Sequence, residues 1–180
     1  KTVSFVNPGD VTEVVGDFDL TVDGALSISG TVAFSQSGPI TTTLSDGTSI
    51  QATVLSIGFT DVDVFLGAGD GGAGSSGVSA TGVDGALAFF KDTNGANRYF
   101  AVNGTAAGAS IVGLPGVTAD FENLTIAVNS GNDGNRVVDF SAFGGGGFTV
   151  TTGGAPILLD FTEKTFAAQT TNATLGLSDF

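Results

Sequence analysis

The 180-residue chain contains no cysteine, histidine, methionine or tryptophan, and only five Lys plus Arg. Each absence removes a class of function. Without His and Cys there is no Ser-His-Asp or Cys-His nucleophile system, and none of the usual zinc sites. Without Trp, and with a single Tyr, there is little to stack on a sugar ring. Five cations against eighteen Asp plus Glu give a formal charge of −13. That field repels phosphate backbones and anionic headgroups, so nucleic acid is not expected as a partner. No G-x-x-x-x-G-K-[ST] or well-placed G-x-G-x-x-G is present to cradle phosphate. No apolar run approaches the roughly 20 residues of a membrane-spanning helix, and membrane insertion is not expected. Helix signals are also missing: no window sustains i, i+3, i+4, i+7 apolar spacing, and Gly and Thr, both poor helix formers, are abundant.

What is present reads as β-structure. "DFDLTVDGALSISGTVAFS" (17–35) places Phe18, Leu20, Val22, Leu26, Ile28, Val32 and Phe34 in one unbroken period-two phase, with polar or small residues opposite. That alternation marks strands with one buried and one wet face. The run is too long for one ordinary strand of about 5–6 residues. It predicts two long strands or one bent strand, kinked at Asp23-Gly24 and Gly30. In "TSIQATVLSIGFT" the apolar phase changes between Val54 and Leu55, which predicts a bulge or a strand buried on both faces. Asn94-Gly95 sits between two β-rich runs as a hairpin turn. Asp46-Gly47 and the Gly-rich stretches 67–77, 131–134, 144–147 and 153–154 separate further strands. The expected fold is therefore a single all-β domain over residues 1–180: an elongated, mostly antiparallel two-layer β-sandwich or β-roll, with a β-solenoid as the alternative. Phe18, Leu20, Leu26, Ile28, Ile57, Phe89, Phe121, Ile126 and Phe140 are the expected interior. "VDGALSIS" at Val22 returns as "VDGALAFF" at Val83, a faint internal echo.

The succession "GDFDLTVDGALSISGTVAF", "TLSDGTSIQATVLSIG", "GVDGALAFFKD…RYFAVNGTAAGASIVGLPGVTADFENLTIAVN" and "RVVDFSA…FTVTTGGAPILLDF" resembles the long repeat modules of giant acidic bacterial extracellular proteins. The resemblance spans roughly Val11 to Phe180 and is one of pattern. It implies a surface-exposed, calcium-associated adhesin or matrix module at the cell surface, with no catalytic residues to transfer. The chain opens on "KTVSFV" without a leader, so secretion would call for a signal removed or lying upstream.

Three groups of residues could carry chemistry. "DVDVFLGAGDGGAG" gathers Asp61, Asp63 and Asp70 about a Gly-rich turn, and "NSGNDGNRVVD" adds Asp133 and Asp139; carboxylate and carbonyl oxygens of this kind suit calcium. The bland reading is surface acidity that keeps the protein soluble. Carboxylates at i, i+2 (Asp61 with Asp63, Asp120 with Glu122) could in principle hydrolyse glycosides. A solvated strand face explains them better, and no enzyme is expected. Three sequons, at Asn103, Asn123 and Asn172, are near chance in so Asn- and Thr-rich a chain. Finally, "KTVSFV" and "ATLGLSDF" alternate apolar residues with almost no charge. Val3 and Phe5, and Leu175 and Leu177, are expected to complete a neighbouring sheet by strand addition. The expected function is a structural subunit or repeat module of an extracellular filament, sheath or adhesin that self-associates. The alternatives are a module binding a surface glycan and, ranking lower, a polysaccharide-active β-helix enzyme.

Overall fold

The computed structural model describes residues 11–22, 25–69 and 71–178. The protein is all-β and mostly antiparallel. Six long strands run as a meander: β1 (Val11–Val22), β2 (Leu26–Thr43), β3 (Ser49–Ala68), β4 (Ser76–Asp92), β5 (Arg98–Val112) and β6 (Val117–Gly131). A short 3-10 turn (Phe140–Ala142) and a small hairpin, β7 (Phe148–Val150) with β8 (Ile157–Leu159), follow. The chain then returns to the sheet as β9 (Thr165–Gln169) and β10 (Asn172–Leu177). These two strands share the free side of β6, β9 pairing with Thr125–Asn129 and β10 with Val117–Glu122. The result is an open eight-stranded antiparallel sheet, not closed on itself.

The long alternating run becomes β1 and β2, with the chain reversing between Val22 and Leu26. Gly30 marks a register shift against β3, and its φ of +141° is open to glycine. A Cβ there would lie 2.7 Å from the Asp61 carbonyl oxygen, so the close approach of β3 requires glycine. The phase change at Val54–Leu55 is not a bulge in β3, which pairs without interruption with β4 from Ala52 to Phe59. Nor is β3 buried on both faces there: it is apolar on both, but Val54 is 1% exposed and Leu55 40%, because only the Val54 face is covered.

Those two faces have different fates. Cross-strand partners share a face, and one register row, Val14, Phe34, Ile57, Leu87, Val102, Val128 and Phe166, crosses the whole sheet without a polar residue. The neighbouring row on the opposite face is Glu13, Ser35, Ser56, Ala88, Ala101, Asn129 and Thr165. Residues 132–163 lie over this second face as a partial layer. Val138, Phe140, Val150 and Leu159 pack there on a floor of Ala52, Val54, Ala86, Ala88 and Ala101, all at most 1% exposed. Small floor residues let the covering chain come close. Phe90 meets Phe140 and Phe148 edge-on, at 5.7 Å between centroids in both cases. Asn129, fully buried, donates from Nδ2 to the carbonyls of Val138 (2.9 Å) and Glu163 (3.1 Å), tying both ends of the layer to the sheet.

The interior differs from expectation on this point. Phe140 is fully buried, but Phe18, Phe89 and Ile126 are 40–42% exposed. Leu20, Leu26, Ile28, Ile57 and Phe121 are half-buried. The long apolar phase belongs to one face, as the alternation predicts, but the second layer is small and sits on the other face.

Candidate functional site

Where the structure places the five acidic candidates decides what they can do. Asp63 accepts a hydrogen bond from the Gly82 backbone N–H (2.9 Å), and the N–H of Asp61 donates to Asp84 Oδ1 (3.1 Å). Both bonds stitch the irregular β3–β4 pairing near Val62. Asp133 is taken up elsewhere: its Oδ2 accepts from Tyr99 Oη at 2.6 Å and pairs with the Arg136 guanidinium at 2.6 Å. The Tyr99 hydroxyl and Arg136 hold its carboxyl below the usual range. Asp139 caps the 3-10 turn, accepting from the Ser141 N–H (3.0 Å) and hydroxyl (2.6 Å). Asp70 lies outside the described residues. The four described aspartates are thus engaged in separate hydrogen bonds. Among the described residues no group of three or more metal-ligating side chains converges.

The carboxylate pairs lie on open strand surface. Asp61, Asp63, Asp120 and Glu122 are exposed, and Glu122 receives the Asn172 side-chain amide at 3.4 Å across the β6–β10 pairing. A cleft of about 530 Å³ lies beside the second layer between Thr60, Asn103, Thr105 and Pro156, and Asp84 is its one acidic lining residue.

The sheet edges are the more distinctive feature. Among the described residues β1 pairs only with β2, and β9 and β10 pair only with β6, which leaves one side of each strand unpaired. β1 carries Glu13, Asp17 and Asp19, charges that discourage strand addition. β9 (TFAAQ) and β10 (NATLGL) carry no charge and no proline. Phe166, Leu175 and Leu177 stand out from them at 70, 74 and 76% exposure, the largest among the exposed hydrophobic residues. Leu175 and Leu177 pair with Ala119 and Val117 of β6, completing their own sheet and leaving the other side of β10 unpaired. Val3 and Phe5 lie outside the described residues.

Sequence reasoning missed the open face as a feature in its own right. Its central rows have relief. Leu55, Phe89 and Phe100 form a ridge, with the two Phe rings 6.4 Å apart. Four residues along the strands, Gly85 and Gly104 leave an apolar groove of about 290 Å³ bounded by Phe59, Leu87, Val102 and Ile126. Lys91 and Arg98 are cross-strand partners at the hairpin end of this face, both exposed. Glycines at a common depth in adjacent strands were the signal that could have revealed the groove.

No protein-family model matches the chain, and neither a curated protein nor a solved structure matches it significantly.

Proposed function

We propose that this protein is a structural module of an extracellular assembly that self-associates by strand addition along its sheet edges. The observation that carries the reading is the uncharged β9–β10 edge with its three exposed large apolar side chains. Natural sheets blunt free edges with charge, proline or covering segments, because an unpaired strand templates pairing with another chain. Here one edge carries acids and the opposite edge carries none, so a head-to-tail contact of β1 on β9–β10 avoids like-charge opposition. Such heterologous contacts generate open filaments when the rotation does not close. Calcium enters this reading as a counter-ion for an acidic surface rather than through a defined cage. The extracellular setting rests on the composition, acidic and free of Cys.

Electron microscopy of the purified chain tests the reading. Elongated polymers are expected for the wild type, and Leu175→Lys with Leu177→Lys is expected to abolish them while leaving the far-ultraviolet circular dichroism unchanged. Isolated particles at every concentration, or polymers that survive the double variant, would overturn it.

A further inference from the structure

The open face of the sheet presents a second surface, independent of the edges. Leaving aside the edge strands β9 and β10, Phe18, Phe34, Leu55, Leu66, Val78, Phe89 and Ile126 are each at least 40% exposed. At about 150–200 Å² per large side chain, their exposed parts amount to roughly 500–600 Å². The largest apolar patch on a typical soluble monomer is about 300–600 Å². A standard protein–protein interface buries about 800 Å² per partner. The face reaches the top of that monomer range before its half-buried Ile57, Leu87, Val102 and Val128 are counted, and with them it approaches the area of a stable contact.

We infer that this face packs against the same face of a second copy, forming a face-to-face homodimer in which the Phe89–Phe100 ridge of each chain enters the Gly85–Gly104 groove of the other. The choice of occupant follows from the relief of the surface. An isologous contact needs a patch complementary to itself. On β4, Phe89 and Gly85 lie two residues to either side of Leu87; on β5, Phe100 and Gly104 lie two residues to either side of Val102. Leu87 and Val102 are themselves register partners. A two-fold axis running across the strands at this row carries Phe89 over Gly85 and Phe100 over Gly104, in both directions at once. The groove is lined by apolar residues, glycine and Thr105, with no charged group. Aligned sheets stack about 10 Å apart with interdigitating side chains, a spacing suited to large residues facing glycines. Lys91 and Arg98 fall at the rim of the overlap, where their long side chains can reach water.

This inference does not depend on edge assembly, and the test separates the two. Sedimentation equilibrium at tens of micromolar is run on the full chain in the Leu175→Lys/Leu177→Lys background, where edge polymers are removed. The expected species has twice the 17.7 kDa chain mass. Phe89→Lys removes the ridge and Gly85→Leu fills the groove. A Cβ at Gly85 meets its neighbours at 3.5 Å, ordinary contact, so the sheet tolerates a side chain there. Each variant is expected to weaken the dimer at least about thirtyfold, with unchanged circular dichroism. In a second readout, Leu87→Cys, in a chain with no other cysteine, is expected to cross-link to itself through a bismaleimide spanning about 10 Å. Ser35→Cys, on the opposite face, is not. A single-chain mass at these concentrations, or a dimer that survives both variants, overturns the inference. So does a monomer that takes up a long-chain fatty acid and loses it on Lys91→Gln/Arg98→Gln, which would make an anionic amphiphile the occupant.

Discussion

The hydroxyl of Tyr99 donates to Asp133 Oδ2 at 2.6 Å, joining β5 to the segment that leaves β6. The same carboxylate oxygen pairs with Arg136 at 2.6 Å, and Arg136 also reaches Asp46 in the β2–β3 turn at 3.5 Å. One carboxylate thus fixes the start of the second layer to two turns of the sheet. The Tyr99 hydrogen bond and then Arg136 hold the Asp133 carboxyl below its ordinary value. A lowered folded-state value contributes stability that is present above about pH 4 and lost as pH falls through the folded value. Asp133→Asn is expected to melt lower than wild type at pH 7 and to lose less stability on acidification. Melting temperatures between pH 2 and 7 check this; parallel curves would remove Asp133 as an acid-sensitive tie.

Tyr99 gives the opposite limb. Burial first, and the Asp133 hydrogen bond second, push its phenol well above the ordinary range. A raised value contributes stability that is complete below the unfolded value, near pH 10, and fades as pH rises through the folded one. Wild type is expected to lose stability more steeply above pH 10 than Tyr99→Phe, which has no proton to hold. Equal alkaline slopes in urea unfolding would contradict this.

Asn129 is the polar pin of the second layer. It is fully buried, bonds two covering carbonyls through Nδ2, and has its Oδ1 without a hydrogen-bond partner. Replacing it with Leu leaves the buried Val138 carbonyl unsatisfied, at a cost of about 1–3 kcal/mol, while the Glu163 carbonyl keeps the Thr165 hydroxyl as a donor at 3.0 Å. At roughly 2–4 °C per kcal/mol for a chain of this size, Asn129→Leu is expected to lower the melting temperature by about 2–12 °C. A change of a degree or less would mean that apolar packing alone holds the layer.

Calcium is expected to act through charge density. Asp19 and Asp63 lie in one register row on either side of Ser29, with Asp17 on the same face. Millimolar calcium should raise the melting temperature more than sodium at matched ionic strength, because ions favouring the folded state stabilise it by mass action. Asp139→Asn should not diminish that rise, since its carboxylate already caps the 3-10 turn. Equal melting in calcium and in chelator removes calcium from the proposal.

The strands were legible because period-two alternation is a local property. Phe18 through Phe34 announced their common face, and Asn94-Gly95 announced its turn. What covers a face is not local. The same alternation would suit a buried sandwich, so Phe89 and Ile126 looked like interior. The hydrogen-bond partners of Asp133 and Asp139 were not legible because the fold sets them: Tyr99 lies 34 residues from Asp133. The repeated "VDGAL" shows the limit most plainly. At Val22 it spans a chain reversal between β1 and β2, and at Val83 it runs straight through β4. Pairing partners decided between the two, as strand preference generally yields to context.

Gly58 tests whether the second layer is bound to the sheet by close approach. A Cβ on Gly58 would sit 2.6 Å from the Thr152 Cα and closer still to the Thr151 carbonyl oxygen, so the backbone of the covering chain rests directly on β3 there. Beside it, Thr60 Oγ1 donates to Thr152 Oγ1 at 2.8 Å, and Thr152 is fully buried. Gly58→Ala must lift this contact or bend β3, and overpacking of this kind costs about 1–3 kcal/mol. Gly16, on the open face of β1, is the control: nothing lies within 4 Å of its Cβ position. Gly16→Ala restricts only the unfolded chain and is expected to be neutral or stabilising by up to about 1 kcal/mol. Urea unfolding of both variants should separate them by about 2 kcal/mol or more. Limited proteolysis should cut Gly58→Ala faster within residues 144–156, where the loosened layer exposes its glycines, and leave Gly16→Ala as resistant as wild type. If Gly58→Ala is as stable as Gly16→Ala, the second layer is a loosely resting flap and the floor of small residues is not what seats it.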